Sequence, residues 1–301
     1  MTSSYPNAWT LSGNAFILQH DPYWPLIRSL ADVILTQIAN RTAIAFVLAT
    51  IMTSLLAADL PTIDDPEIQA CIDNMMPGKS LTQSITLRSF DDSGLIEESV
   101  ANLYWRRSKE EKSRAVIRLT APASRKGAAV LMVESDSLEP KMYLYVPDLK
   151  RSRRVTGKQL ATSMMGTDFS YEDFSHFQMA APGAQTKRLE DQTINGIETY
   201  VVETTSGLTE NPIYSRILTF IDQARCVSIQ TQFFAVNGDI NKELLATVDQ
   251  IKQVGDRYVP HHIVMHNRKK TTRTELLVDN VEIDVKLNDG IFSPKRLGMT
   301  P

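Results

Sequence analysis

From about residue 80 onward, apolar and polar residues alternate with period two along most of the chain. Leu81, Ile85 and Leu87 share one side of a strand and are interleaved with Thr82, Ser84, Thr86 and Arg88. The same criteria predict strands at 97–107, 115–120, 128–134, 142–146, 186–189, 198–204, 216–222, 227–235, 244–250, 258–266 and 272–277, each bounded by polar, proline or glycine signals. Turn chemistry stands between them at Asp91-Asp92-Ser93-Gly94, Asn195-Gly196 and Asn237-Gly238, and in the basic run Asn267 to Lys270. Roughly ten strands or a little more, joined in sequence, predict a mainly β (α+β) fold, and that many antiparallel strands curl into a barrel or half-barrel to limit their edges.

Two helical signals interrupt the alternation. Asp65 and Pro66 form a cap and first turn, and Ile68, Cys71, Ile72, Met75 and Met76 recur at helical spacing until Pro77-Gly78 stops them. Ser170 followed three residues later by Asp173 is a capping-box-like start for a second helical turn, with Asp168 in the loop before it.

Thr42 to Ala58 carries no charge, follows Arg41 and ends in small residues, the layout of a secretory signal. Its length is at the bottom of the ~17–25 residues of a spanning helix, so cleavage is the favoured reading and a retained inner-membrane anchor facing the periplasm the alternative. The organisation read from this is an N-terminal extension over 1–41, absent from the mature protein, a signal segment over 42–58 and one domain over 59–301. The expected location is the periplasm. The two cysteines, Cys71 and Cys226, follow the signal. They could pair in an oxidising compartment; two separate buried thiols is the reading favoured here, since the sequence does not supply the separation a bridge requires.

With 22% charged residues, a net charge of -3 and a pI near 6.0, the chain lacks the basic footprint of a nucleic-acid-binding protein. His261, His262 and His266 invite a metal reading, but on a strand His262 and His266 stand about 13 Å apart, too far for one ion. No metal site is expected. There is no GxSxG elbow and no glycine-rich phosphate loop, and Cys71 lies on an apolar helix face. Asp168, Glu172 and Asp173 are weighed as an acid–base group against their simpler role as loop and cap residues, and the cap is favoured. No cofactor is called for.

Two groups remain as candidate contacts. Arg151, Arg153, Arg154 and Lys158 belong to the densest basic run, suited to anionic headgroups or an acidic partner surface. Met164, Met165, Phe169 and Phe174 offer a soft apolar surface.

Several of these residues also carry a family resemblance. Pro122 and Gly127 before an apolar strand, Tyr145 to Pro147, Arg153 and Arg154, the run MGTDFSYEDF from Met165 to Phe174 and the run GIFSP from Gly290 to Pro294 resemble the outer-membrane lipoprotein-sorting proteins, the LolA-like group. The resemblance implies an incomplete antiparallel barrel, covered by helices, enclosing an apolar cavity for lipid or lipoprotein acyl chains. It implies a carrier and not an enzyme, with transient membrane contact and an inner-membrane transporter as partner. The alternative is a non-catalytic adaptor docking on such a transporter. No individual cargo-binding residue carries over by motif.

Overall fold

Tight turns and strict alternation build the first hairpin of the computed structural model, which describes residues 65–107, 112–134, 140–176, 185–205 and 213–299. All of these lie in the unit Leu60–Pro301. The N-terminal extension and the stretch Thr42 to Ala58 fall outside the described residues. Strand β1 (Ser80–Asp91) turns at Asp91, whose carboxylate accepts from the Ser93 amide at 2.8 Å, into β2 (Gly94–Arg107). The meander continues through β3 (Ser113–Ala121), β4 (Ala129–Val133), β5 (Lys141–Val146) and β6 (Arg151–Val155). After a crossing segment the strands resume as β7 (Gln185–Arg188), β8 (Gln192–Ile194), β9 (Ile197–Thr205), β10 (Arg216–Asp222), β11 (Val227–Phe234) and β12 (Ile240–Ala246). A separate hairpin, β13 (Ile251–Val254) with β14 (Arg257–Pro260), precedes β15 (His262–Asn267) and β16 (Thr272–Ile283).

Fourteen strands form one antiparallel sheet in the order β6-β5-β4-β3-β2-β1-β16-β15-β12-β11-β10-β9-β7, with β8 also on β9. The first and last strands therefore pair in its middle, Leu81 opposite Ile283 and Leu87 opposite Leu276. Among the described residues the ladder ends at β6 and β7 and does not close, in keeping with the open form expected. Asn195 and Gly196, at φ +51° and +83°, make the predicted two-residue turn between β8 and β9.

Two strand expectations need correction. The one placed at 244–250 starts earlier, at Ile240, and ends at Ala246, with Val248–Gln250 a single helical turn. The one placed at 258–266 is two strands, broken at His261, because Pro260 has no N–H to continue a ladder and pairs instead with Ile251 in the side hairpin. The basic run, whose ordinary reading is a solvated strand or turn, supplies the edge strand β6.

One face of the sheet is apolar from end to end. Met142, Val130, Ile117, Trp105, Ile85, Val278, Met265, Leu244, Phe233 and Ile217 belong to a single buried cluster that spans β5 to β10. Helix α1 (Pro66–Met75) closes the far end of this face. The Asp65 carboxylate caps it, accepting from the Glu67 and Ile68 amides, while Arg257 donates to the carbonyl of Met76 just past its end. Ile68 and Cys71 pack on Val202 and Ile221. Here the thiol expectation is overturned: Cys71 and Cys226 are joined in a disulfide, their Cα atoms 4.8 Å apart, because a left-handed residue (φ +49°) at Cys226 turns the chain after β10 back under α1. On the opposite face the C-terminal tail buries Ile291, Phe292 and Leu297 against Val116 and Leu131, which accounts for the GIFSP run.

Candidate functional site

The connection from β6 to β7 must pass between the two edges of the sheet, and it does so across the apolar face. Its described part begins with the turn Gly157–Ala161, continues through Met165 and Gly166, and ends in helix α2 (Tyr171–His176). Within nine residues, from Met165 to Asp173, it makes contacts with the β3–β4 turn at one side and with Tyr214, just before β10, at the other. A flat sheet would spread those strands over ~34 Å at ~4.8 Å each, so the sheet is curled around the segment.

Apolar side chains supply the packing. Met164, Phe169, Tyr171 and Phe174 are all buried in the same cluster as the strands, and Met165 packs against it half-buried. Beyond them, Leu103, Leu144, Ile263, Leu276 and Val281 lie on that face partly buried. The four predicted apolar contacts are thus brought together. The crossing segment itself covers part of this face.

Buried polar groups fix the segment in place. Ser170 and Asp173 form the predicted capping box: the Ser170 amide donates to Asp173 at 2.7 Å and Ser170 Oγ accepts from the Asp173 amide at 3.1 Å. Asp173 is fully buried and also accepts from Tyr214 Oη at 2.6 Å and Lys242 Nζ at 2.6 Å. Burial, and then the Asp173 charge, raise the Tyr214 phenol well above its ordinary range, so it remains a donor. Asp168 is held by Asn267, Thr272 and Thr274, whose side chains donate at 3.2, 2.5 and 3.0 Å, and its own amide donates to Thr274 Oγ1. Both oxygens of each carboxylate thus accept hydrogen bonds from groups that hold the fold.

The turn at Met165 and Gly166 is left-handed at both residues, φ +55° and +78°. Arg125 donates to the Met165 carbonyl at 2.9 Å and pairs with Glu97, and Ser89 donates to the Gly166 carbonyl at 3.3 Å. A Cβ at Gly166 would meet Glu97 Oε2 at 2.9 Å and Arg125 Nη1 at 3.2 Å. Gly166→Ala is therefore expected to cost about 1–2 kcal/mol from backbone conformation alone, with a steric increment, measured as a loss of stability in urea. A neutral substitution there would show that this turn is not fixed.

The basic residues are exposed but do not converge. Strand alternation puts Arg151 and Arg153 opposite Val146 and Leu144, on the apolar side, and Arg154 opposite Tyr143 on the other. Lys158 lies beyond the strand, in the turn Gly157–Ala161. His262 and His266 share the outer side of β15 with Val264 between them; His262 Nδ1 contacts Thr247 Oγ1 at 2.7 Å, and burial holds the His266 imidazole below its usual pKa. Sequence reasoning missed Lys242 and Tyr214. The signal for the first was a lysine at an inward period-two position, between Ile240 and Leu244.

Comparison with known proteins gives the following. A family model described as an uncharacterized protein matches residues 111–299. Among solved structures, an outer membrane lipoprotein-sorting protein domain from Vibrio parahaemolyticus is 21% identical, with 77% of this chain and 97% of that one covered and a TM-score of 0.70. A DUF1329 family protein from Desulfovibrio piger is 17% identical, with 75% and 95% covered and a TM-score of 0.68. A LolA superfamily protein from Nitrosomonas europaea is 18% identical, with 77% and 98% covered and a TM-score of 0.58. No curated protein matches the chain. At these identities the structural likeness establishes the fold.

Proposed function

Because the chain belongs to the family whose model spans residues 111–299 and has the fold of LolA-like proteins, we propose that it is a non-catalytic periplasmic carrier of lipid or lipoprotein acyl chains. The observation that carries the reading is the continuous apolar face of the curled sheet, with partly buried Leu103, Leu144, Ile263, Leu276 and Val281 around the crossing segment. An acyl chain laid on that face leaves water at about 0.8 kcal/mol per buried CH2, so two chains outweigh any single polar contact. In this reading Met164, Met165, Phe169 and Phe174 exchange sheet contacts for acyl contacts as cargo enters. Arg151 and Arg153, exposed on the same side of the edge strand, meet the headgroup, while Arg154 and Lys158 are left for a partner.

One further feature supports the proposal. A disulfide suits an oxidising compartment such as the periplasm. Among the described residues no helix is long and apolar enough to cross a membrane. Transfer from the inner towards the outer membrane is the direction proposed.

Protein purified without detergent is expected to carry co-extracted lipid, or to bind a fluorescent acyl probe that Leu103→Asp and Leu276→Asp together weaken at least ~10-fold, about 1.4 kcal/mol. A protein that is consistently empty and takes up no probe sinks the carrier reading. It would leave the second reading, an adaptor docking on an inner-membrane lipid transporter, which is favoured by one observation: Met164, Phe169 and Phe174 already fill the middle of the apolar face.

A further inference from the structure

Antiparallel hairpins put alternate turns at the same end of a sheet, and here that end has an unusual surface. The turns after β1, β3, β5, β11 and β15 all lie there, since each of those strands runs in the same direction across the ladder. Five of the seven exposed large apolar residues described stand at this one end, on three of its turns. Leu95 and Ile96 are 56% and 59% exposed beside the β1–β2 turn, Leu149 is 54% exposed after β5, and Val236 and Ile240 are 72% and 37% exposed at the β11–β12 turn. Of the remaining exposed large apolar residues described, Tyr258 is on the β13–β14 hairpin at the opposite end and Met299 is in the C-terminal tail.

We propose that this row of hairpin tips is a membrane-docking rim that seats on an anionic bilayer surface. Exposed cations stand on the same turns, Lys126 after β3, Lys150 after β5, and Lys269 and Lys270 after β15. Their ammonium groups suit lipid phosphates, while the aliphatic side chains enter the acyl boundary. The apolar side chains are spread singly over separate turns along a curved edge. A bilayer accepts such dispersed insertions together, whereas a protein partner would need a matching pocket for each. Exposed Asp92, Asp148 and Asp239 share the rim and keep the attraction weak, so the contact is shallow and reversible. The Met165–Gly166 turn lies at this same end, beside Ser89 and Arg125, so the rim sets the outermost turn of the crossing segment next to the lipid surface. The inference extends the carrier reading by saying which end of the molecule meets a membrane, but it stands on separate observations.

Both native cysteines are engaged in the disulfide, so Ile96→Cys and, as the opposite-end control, Tyr258→Cys each introduce one free thiol for an environment-sensitive fluorophore. The full chain is mixed with vesicles of phosphatidylethanolamine and phosphatidylglycerol, or of phosphatidylcholine alone. A blue-shifted, brighter emission from position 96 on the anionic vesicles, with none from position 258, is the expected result. Adding Lys269→Glu and Lys270→Glu is expected to weaken that response about 10-fold. No response at 96 to protein-free vesicles, or an equal response at 258, overturns the proposal, including the case in which 96 responds only to native membranes and so reports a protein partner. The readout needs no cargo: a label at 96 that responds in a protein binding no acyl probe keeps the rim and removes the carrier.

Discussion

Asp173→Ala is expected to destabilise the fold by about 3–5 kcal/mol, the largest effect of any single side-chain truncation considered for this protein. The carboxylate is fully buried and its Lys242 partner is 9% exposed, so removing the acid leaves an ammonium with neither water nor counter-charge. The same change takes one hydrogen-bond partner from the Tyr214 hydroxyl and the side-chain acceptor from the Ser170 amide. Urea unfolding measures the loss. Combining it with Lys242→Met is expected to restore part of the stability, giving a coupling energy of at least ~2 kcal/mol, because a buried ion pair replaced on both sides no longer leaves an orphaned charge. A single-variant loss below ~1 kcal/mol would show that the pair does not fasten the crossing segment.

The disulfide carries the second large expectation. It closes a loop over a sequence separation of 155 residues. Replacing both cysteines by serine is expected to cost about 2–5 kcal/mol, because the open chain gains the freedom that the cross-link denied to its unfolded state. Wild-type protein denatured without reductant should show no free thiol on titration, and reduction should bring its unfolding midpoint to that of the double variant. Two titratable thiols in the unreduced protein would contradict the bridge and its assigned stability.

Most of the sheet was legible in the sequence, for a reason visible in its strands. Strands such as β1 have one apolar and one more polar face, so Leu81, Ile85 and Leu87 declare their side by period two alone, while β3, β4 and β10 are buried on both faces and read as apolar runs. Boundaries failed where that contrast weakens. The β12 strand opens on an exposed isoleucine and an inward lysine, and the hairpin ending at Pro260 is too short to show a period. The Ser170 to Asp173 cap was readable because capping is local. What held the segment across the sheet was not, since Asp173 meets Tyr214 and Lys242 at separations of 41 and 69 residues, and nothing in either neighbourhood names the other. The cysteines illustrate the same limit, because a bridge is decided by a distance that only the fold supplies. The basic run misled in a different way: clustered in sequence, its arginines are divided between two faces by the same alternation that revealed the strands.

The pairing of β1 with β16 also has a bearing on how the molecule comes to be folded. Lys79 donates to Asp284 across 205 residues, so the centre of the sheet joins nearly the first and nearly the last parts of the domain to emerge. Until β16 arrives, β1 is an unsatisfied edge on the growing half-sheet β1 to β6, whose local meander can zip up early. A high-separation seam of this kind folds slowly, and it keeps the domain unfinished while its C-terminal end is still being delivered.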